Sequence, residues 1–162
     1  KMFIGLETAA SSIDTFEVVR WPGLLQTPAI TDAVLRGMQP PGVFTPNFID
    51  DQVSLRQDRQ RRVLDLELQY HAVLDESIFY RPMGDGVVAG QIAKIVEWVI
   101  GLPNVTVQVV PENVGPHPGL NGAFSILRYQ DEPTWVTRYS SREMWGARSL
   151  RQGQPGRVSE GF

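Results

Sequence analysis

Cysteine is missing from all 162 residues. Its absence removes disulfides, thiolate nucleophiles and every cysteine-ligated zinc or iron–sulfur centre, and it fits a reducing, cytoplasmic setting. Histidine occurs only as His71 and His117, so a three-histidine metal site is impossible, and neither residue stands in an HExxH pairing. His71 falls on an expected strand and reads as a partly buried structural residue; His117, between two prolines, reads as a surface loop residue. No apolar run reaches the roughly 18 residues of a membrane span, and no signal peptide is visible. Basic excess is lacking too. A formal net charge of −3 argues against a dedicated nucleic-acid surface. There is no G-x-S-x-G elbow and no glycine-rich phosphate loop. Gly84-Asp85-Gly86 is too short for the latter and reads as a helix-initiating turn with Asp85 as cap.

What is present is ordinary for one globular domain: 42% hydrophobic and 20% charged residues, with 15 glycines and 12 prolines to serve turns. Residues 3–12 have helical spacing, with Phe3, Leu6, Ala9 and Ala10 on one side. Residues 16–21 are extended in character, and Pro22-Gly23 is turn chemistry. Thr27-Pro28 and Thr45-Pro46 are two copies of one helix-start signal, a hydroxyl cap followed by proline. The first helix should stop near Arg36 and Gly37, the second near Leu66. Residues 69–74 and 77–80 read as short extended pieces. A third strong helical pattern covers 86–100, with Val88, Ile92, Ile95, Val96 and Val99 on its stripe and Gln91 and Trp98 within it. Val105, Val107 and Val109 alternate as a strand that Pro111 ends. Residues 123–129 and 134–139 form a hairpin around Asp131-Glu132-Pro133. The implied fold is α+β, with N-terminal helices packed on a small, mainly antiparallel sheet. Residues 1–142 form the domain and 143–162 an irregular, truncated tail.

The helix opened by Thr45 is the most informative segment. At about 100° per residue, Asp50, Asp51, Ser54, Gln57, Asp58, Arg61, Arg62 and Asp65 fall on a polar face. Ile49, Val53, Leu55, Val63, Leu64 and Leu66 fall on an apolar one, and Gln52, Arg56, Arg59 and Gln60 lie in the middle of that apolar arc. A guanidinium stays charged, and burying one unpaired is prohibitive. The arginines therefore need counter-charges. These come either from a structural network with Glu7, Glu17 or Glu76, or from a ligand anion in a polar pocket. The carboxylates of Asp75-Glu76 point to opposite faces if they lie on a strand, which makes them a poor acid–base pair. The two leucines of Trp21-Pro22-Gly23-Leu24-Leu25-Gln26-Thr27 read as a hydrophobic plug, the alternative being a partner-docking edge.

Three segments carry a resemblance. They are Phe3-Ile4-Gly5-Leu6-Glu7-Thr8-Ala9-Ala10, then Pro22-Gly23-Leu24-Leu25-Gln26-Thr27-Pro28, then Arg56-Gln57-Asp58-Arg59-Gln60. With Leu74-Asp75-Glu76, Gln91, the strand 105–111 and residues 119–124, the chain over 3–140 resembles the actinobacterial domain-of-unknown-function family found C-terminal to Xre-type helix-turn-helix regulators, as in WhiJ-like proteins. It departs at Trp21, where the family more often has valine, and in the glycine- and arginine-rich residues 143–162. The resemblance implies a regulatory module whose DNA-binding helix-turn-helix lies outside this chain. Its partner would be a small BldB-like protein encoded nearby or a small-molecule effector. It offers no catalytic residues and no cofactor.

The leading expectation is a sensing or partner-binding domain with Arg56, Arg59, Gln60, Glu76, Gln91 and Gln26 as its polar interior. The first alternative is a degenerate enzyme using Glu76 with Arg56 or Arg59 on an anionic substrate. The second is a homodimerisation module.

Overall fold

A computed structural model of the chain describes residues 2–38, 40, 43–130 and 137–140. Four α-helices, α1 (Met2–Ala9), α2 (Pro28–Met38), α3 (Pro46–Leu64) and α4 (Val87–Gly101), accompany five strands. These are β1 (Ser12–Glu17), β2 (Gln69–Asp75), β3 (Val105–Val110), β4 (Phe124–Arg128) and β5 (Thr137–Ser140), in the spatial order β3-β2-β1-β4-β5. The α+β class stands. The sheet is mixed, however, not mainly antiparallel: β1–β2 and β2–β3 run parallel, β1–β4 and β4–β5 antiparallel. Parallel neighbours need a long crossover, and here α2 with α3 returns the chain from β1 to β2 while α4 returns it from β2 to β3.

Both hydroxyl-proline starts are used. Thr27 Oγ1 accepts from Ile30 N–H, and Thr45 Oγ1 from Phe48 N–H, each at 3.2 Å. Asp85 is no cap. Gly86, at φ +73°, takes that place without a side-chain bond, because the chain must enter α4 through a left-handed residue that glycine adopts without strain. Residues 77–80, expected to be extended, form a 3₁₀ turn (Glu76–Tyr80) that Asp75 caps through Ser77 N–H.

The central strand β1 is where the pattern was hardest to read. It begins at Ser12, inside the segment expected to be helical, and ends at Glu17. Period-two alternation sends Ile13, Thr15 and Glu17 to one face and Ser12, Asp14 and Phe16 to the other. Ile13 sits level with Tyr70 of β2 and Leu127 of β4. These residues join Trp21, Ile30, Val34, Val63, Ile95 and Trp98 in one core between sheet and helices. Glu17, level with Leu74, is thereby carried to the core side.

On the opposite face, Phe16 stacks on Phe124 at 5.7 Å and meets the His117 ring edge-on at 6.0 Å. His117 is therefore not a free surface residue: with a side-chain exposure of 15%, it binds Asp75 at 3.2 Å and pins its loop to the sheet. His71, half-buried as expected, bonds Gln108 at 2.9 Å. Gly119 lies so close to Phe16 that a Cβ would collide with its ring and come within 2.9 Å of His117 Nδ1. Two rigid rings cannot yield, so Gly119→Ala should lift this loop. The expected loss is about 1–3 kcal/mol, with a shift of the His117 ring signals in NMR; unchanged signals would mean the loop accommodates the methyl.

The turn of the β4–β5 hairpin and the tail 143–162 lie outside the described residues. Among the described residues no helix is long and apolar enough to cross a membrane.

Candidate functional site

The inward face of α3 differs in detail from the helical-wheel reading. Ile49, Gln60 and Val63 are buried, while Leu55, Leu64 and Leu66 face solvent. Arg62, expected on the wet face, reaches α1 and donates to Glu7 O and Ala10 O at 2.9 Å each. On α4 the buried line is Gln91, Ile95 and Trp98, whereas Ile92, Val96 and Val99 are exposed.

Arg59 has the counter-charge the sequence demanded. Its Nε and Nη2 each donate to a Glu7 carboxylate oxygen at 2.6 Å, a bidentate clamp joining α3 to α1. Arg56 has none. Its Nη1 reaches only Gln52 O at 3.2 Å, and its Nε is buried without a partner. Burial, then repulsion from Arg59 and Arg20, lowers its pKa.

The three glutamines serve one purpose together. The segment 21–27 is irregular chain with a buried core of Trp21, Leu24 and Leu25, so its backbone polar groups need protein partners. Gln60 Nε2 donates to Gln26 O at 2.7 Å. Gln91 Nε2 donates to Leu25 O at 2.6 Å and its Oε1 accepts from Thr27 N–H at 2.7 Å. Gln26 Nε2 donates to Trp21 O at 2.7 Å and its Oε1 accepts from Thr31 Oγ1 at 3.0 Å. Gln60, Gln26 and Gln91 thus form a clasp that fixes this loop against α2, α3 and α4, and the Arg59 guanidinium, tied to Glu7, lies against Gly23 of the same loop. Gln91→Leu keeps most of the volume but strands Leu25 O and Thr27 N–H. It should cost about 2 kcal/mol and speed hydrogen exchange at the Thr27 amide; unaltered exchange would show that the clasp is redundant.

Glu76 does not join them. Its carboxylate accepts from Tyr80 Oη at 2.7 Å and Glu112 N–H at 2.8 Å, and these two bonds lower its pKa. These bonds hold the carboxylate at Tyr80 and Glu112 rather than beside Arg56, Arg59, Gln60, Gln26 and Gln91, with which the sequence grouped it.

An open space lies elsewhere. A cavity of about 770 Å³ is bounded by the end of β1, the second half of α2, residues 81–83 and Ala123. Val19, Val34, Met38 and Met83 supply apolar wall; Glu17, Arg20 and Arg81 supply charge. Glu17 Oε2 is sealed from solvent and accepts no hydrogen bond. Burial raises the Glu17 pKa to about 7, against a smaller opposing pull from Arg20. Arg20 and Arg81 form no salt bridge among the described residues, whereas Arg36, Arg59, Arg61, Arg62 and Arg128 all do. In the sequence Glu17 reads only as a structural counter-charge, and neither Arg20 nor Arg81 stands out. The available signal was the alternation Ile13-x-Thr15-x-Glu17, which puts a carboxylate on an apolar face.

The family-model comparison is decisive on kinship. A model described as a domain of unknown function, DUF5753, matches residues 1–147. The chain belongs to the DUF5753 family. No curated protein and no solved structure matches it. The matched span of this DUF5753 domain contains the clasp and every described cavity-lining residue. Among its described residues no group of three His, Cys, Asp or Glu side chains is placed to hold a metal ion.

Proposed function

We propose that this DUF5753 domain is the effector-receiving part of an Xre-type transcription regulator, acting in the cytoplasm through a helix-turn-helix outside this chain. The cavity at Glu17, Arg20 and Arg81 is the receptor site. The clasp of Gln60, Gln26 and Gln91, together with Arg59, is the rigid frame that holds α2 beside it. The carrying observation is a cavity of about 770 Å³ with apolar walls and a few convergent charges, which is the usual make-up of a small-molecule site. Among the described residues its lining has no hydroxyl, imidazole or amine side chain, and this favours binding over catalysis. A concave site of this kind also favours a small effector over the small BldB-like partner that the family resemblance brings in.

The test uses the intact regulator on its operator. Ala33 lines the cavity, and the indole of Ala33→Trp should obstruct it. Operator occupancy should respond to a small-molecule extract of the source cells in the parent protein and stay fixed in the variant. Equal responses would overturn the reading.

Dimerisation has an observation of its own. Ile92, Val96, Val99 and Ile100 of α4 are exposed beside the edge strand β3. Sedimentation of the chain with and without Ile100→Lys decides it: a parent that is monomeric at high concentration removes this reading.

A further inference from the structure

Resting on the reading of the cavity as the effector site, we propose that its ligand class is an aliphatic monocarboxylate, held by Arg20 and Arg81 at the head and by Val19, Val34, Met38 and Met83 along the body. Three observations carry this. The first is the distribution of unpaired cations. Of the eight arginines whose side chains are described, Arg20, Arg56 and Arg81 have no salt bridge, and the other five have one. Two of the three line this cavity, and the third lies close enough to Arg20 for repulsion between them to lower its own pKa. Guanidiniums that line an apolar chamber without a salt bridge are suited to a planar anion, whose two oxygens match their paired N–H groups.

The second observation limits the charge. Ala33, Val34, Gly37 and Met38 line the cavity from the second half of α2, the negative end of the helix dipole, which disfavours a dianion. Glu17 adds a carboxyl to the same wall. When protonated it leaves a monoanion unopposed; when ionised it repels a phosphate more strongly than a carboxylate. The third concerns the body of the ligand. Among the described residues the lining holds no aromatic ring on which a planar group would stack, while Met38 and Met83 supply pliable side chains that follow a flexible alkyl chain.

Calorimetry on the full chain with four probes of one chain length tests the class: decanoate, decanamide, decylamine and decyl phosphate. Decanoate should bind, and the other three at least about ten-fold more weakly, as expected for losing one charge-assisted contact. Arg20→Gln and Arg81→Gln should each weaken decanoate by about ten-fold or more while leaving the thermal midpoint unchanged. Decanamide binding as tightly as decanoate, or decyl phosphate binding tighter, overturns the proposal. If decanoate fails, a thermal-shift screen of cell-extract fractions against the parent and Ala33→Trp separates the two claims. Stabilisation by a different class, lost in Ala33→Trp, overturns the carboxylate and keeps the receptor. No stabilisation that depends on Ala33 overturns both.

Discussion

Glu7→Ala should lower the unfolding free energy by about 3 kcal/mol or more, read from urea denaturation at neutral pH. The reason is the state in which it leaves Arg59. That guanidinium has a side-chain exposure of 19%, and its carboxylate partner 7%, so removing the partner leaves a largely buried cation without compensation. Breaking such a pair from one side costs about 3–5 kcal/mol, and the partial exposure of Arg59 places the effect at the lower end. Arg59→Lys keeps the charge but loses the fork that delivers two hydrogen bonds at 2.6 Å, and should cost an intermediate amount. The double variant, Glu7→Ala with Arg59→Ala, should lose less than the sum of the singles, because no orphan charge remains. A Glu7→Ala loss below about 1 kcal/mol would mean that solvent already screens the pair and that the clasp is anchored by its glutamines alone.

Stability should also fall as pH rises from about 4.5 to about 7. Glu17 has a pKa raised from 4.5 to about 7 in the folded chain. Between those values the unfolded chain has released this proton and the native one still holds it, so the native state binds more protons and the slope of stability against pH is negative. The favourable contribution is complete below about 4.5 and gone above about 7. At about 1.4 kcal/mol per unit, the drop is on the order of 3 kcal/mol. Asp75 acts in the opposite sense: its pKa is lowered, first by the Ser77 hydroxyl bond, and its contribution disappears as pH falls. The difference between the parent and Glu17→Gln isolates the Glu17 part. Glu17→Gln should flatten this slope and be the more stable protein at pH 8. A parent and variant that run parallel from pH 4 to 8 would show that Glu17 is well solvated.

Much of the helical framework was readable in the sequence because its signals are local. Thr27-Pro28 and Thr45-Pro46 carry both the cap and the fixed φ that start a helix, and α2 and α3 begin there. The alternation of valines over 105–110 produced β3 at those bounds. The argument from charge also held for Arg59, since a guanidinium on an inward helix face must find an acid, and Glu7 is that acid. β1 was not readable in the same way. Its six residues mix Ser, Asp and Glu with Ile and Phe, and only the strands on either side, β2 and β4, give their alternation a meaning. Glu76 was misplaced for a related reason: whether a carboxylate turns inward depends on where the chain goes next, and a 3₁₀ turn took it toward Glu112.

The amino-acid order alone determined the helix starts, the α+β character and the need to neutralise a cation on α3, since each follows from contacts a few residues apart or from the solvation of a single group. Tertiary structure decided the parallel pairing of β1 with β2, the joining of three distant glutamines around residues 21–27, and the meeting of Glu17, Arg20 and Arg81 at one cavity. Those are encounters between segments about 35 to 65 residues apart, and no local periodicity encodes which of many polar side chains will share a space.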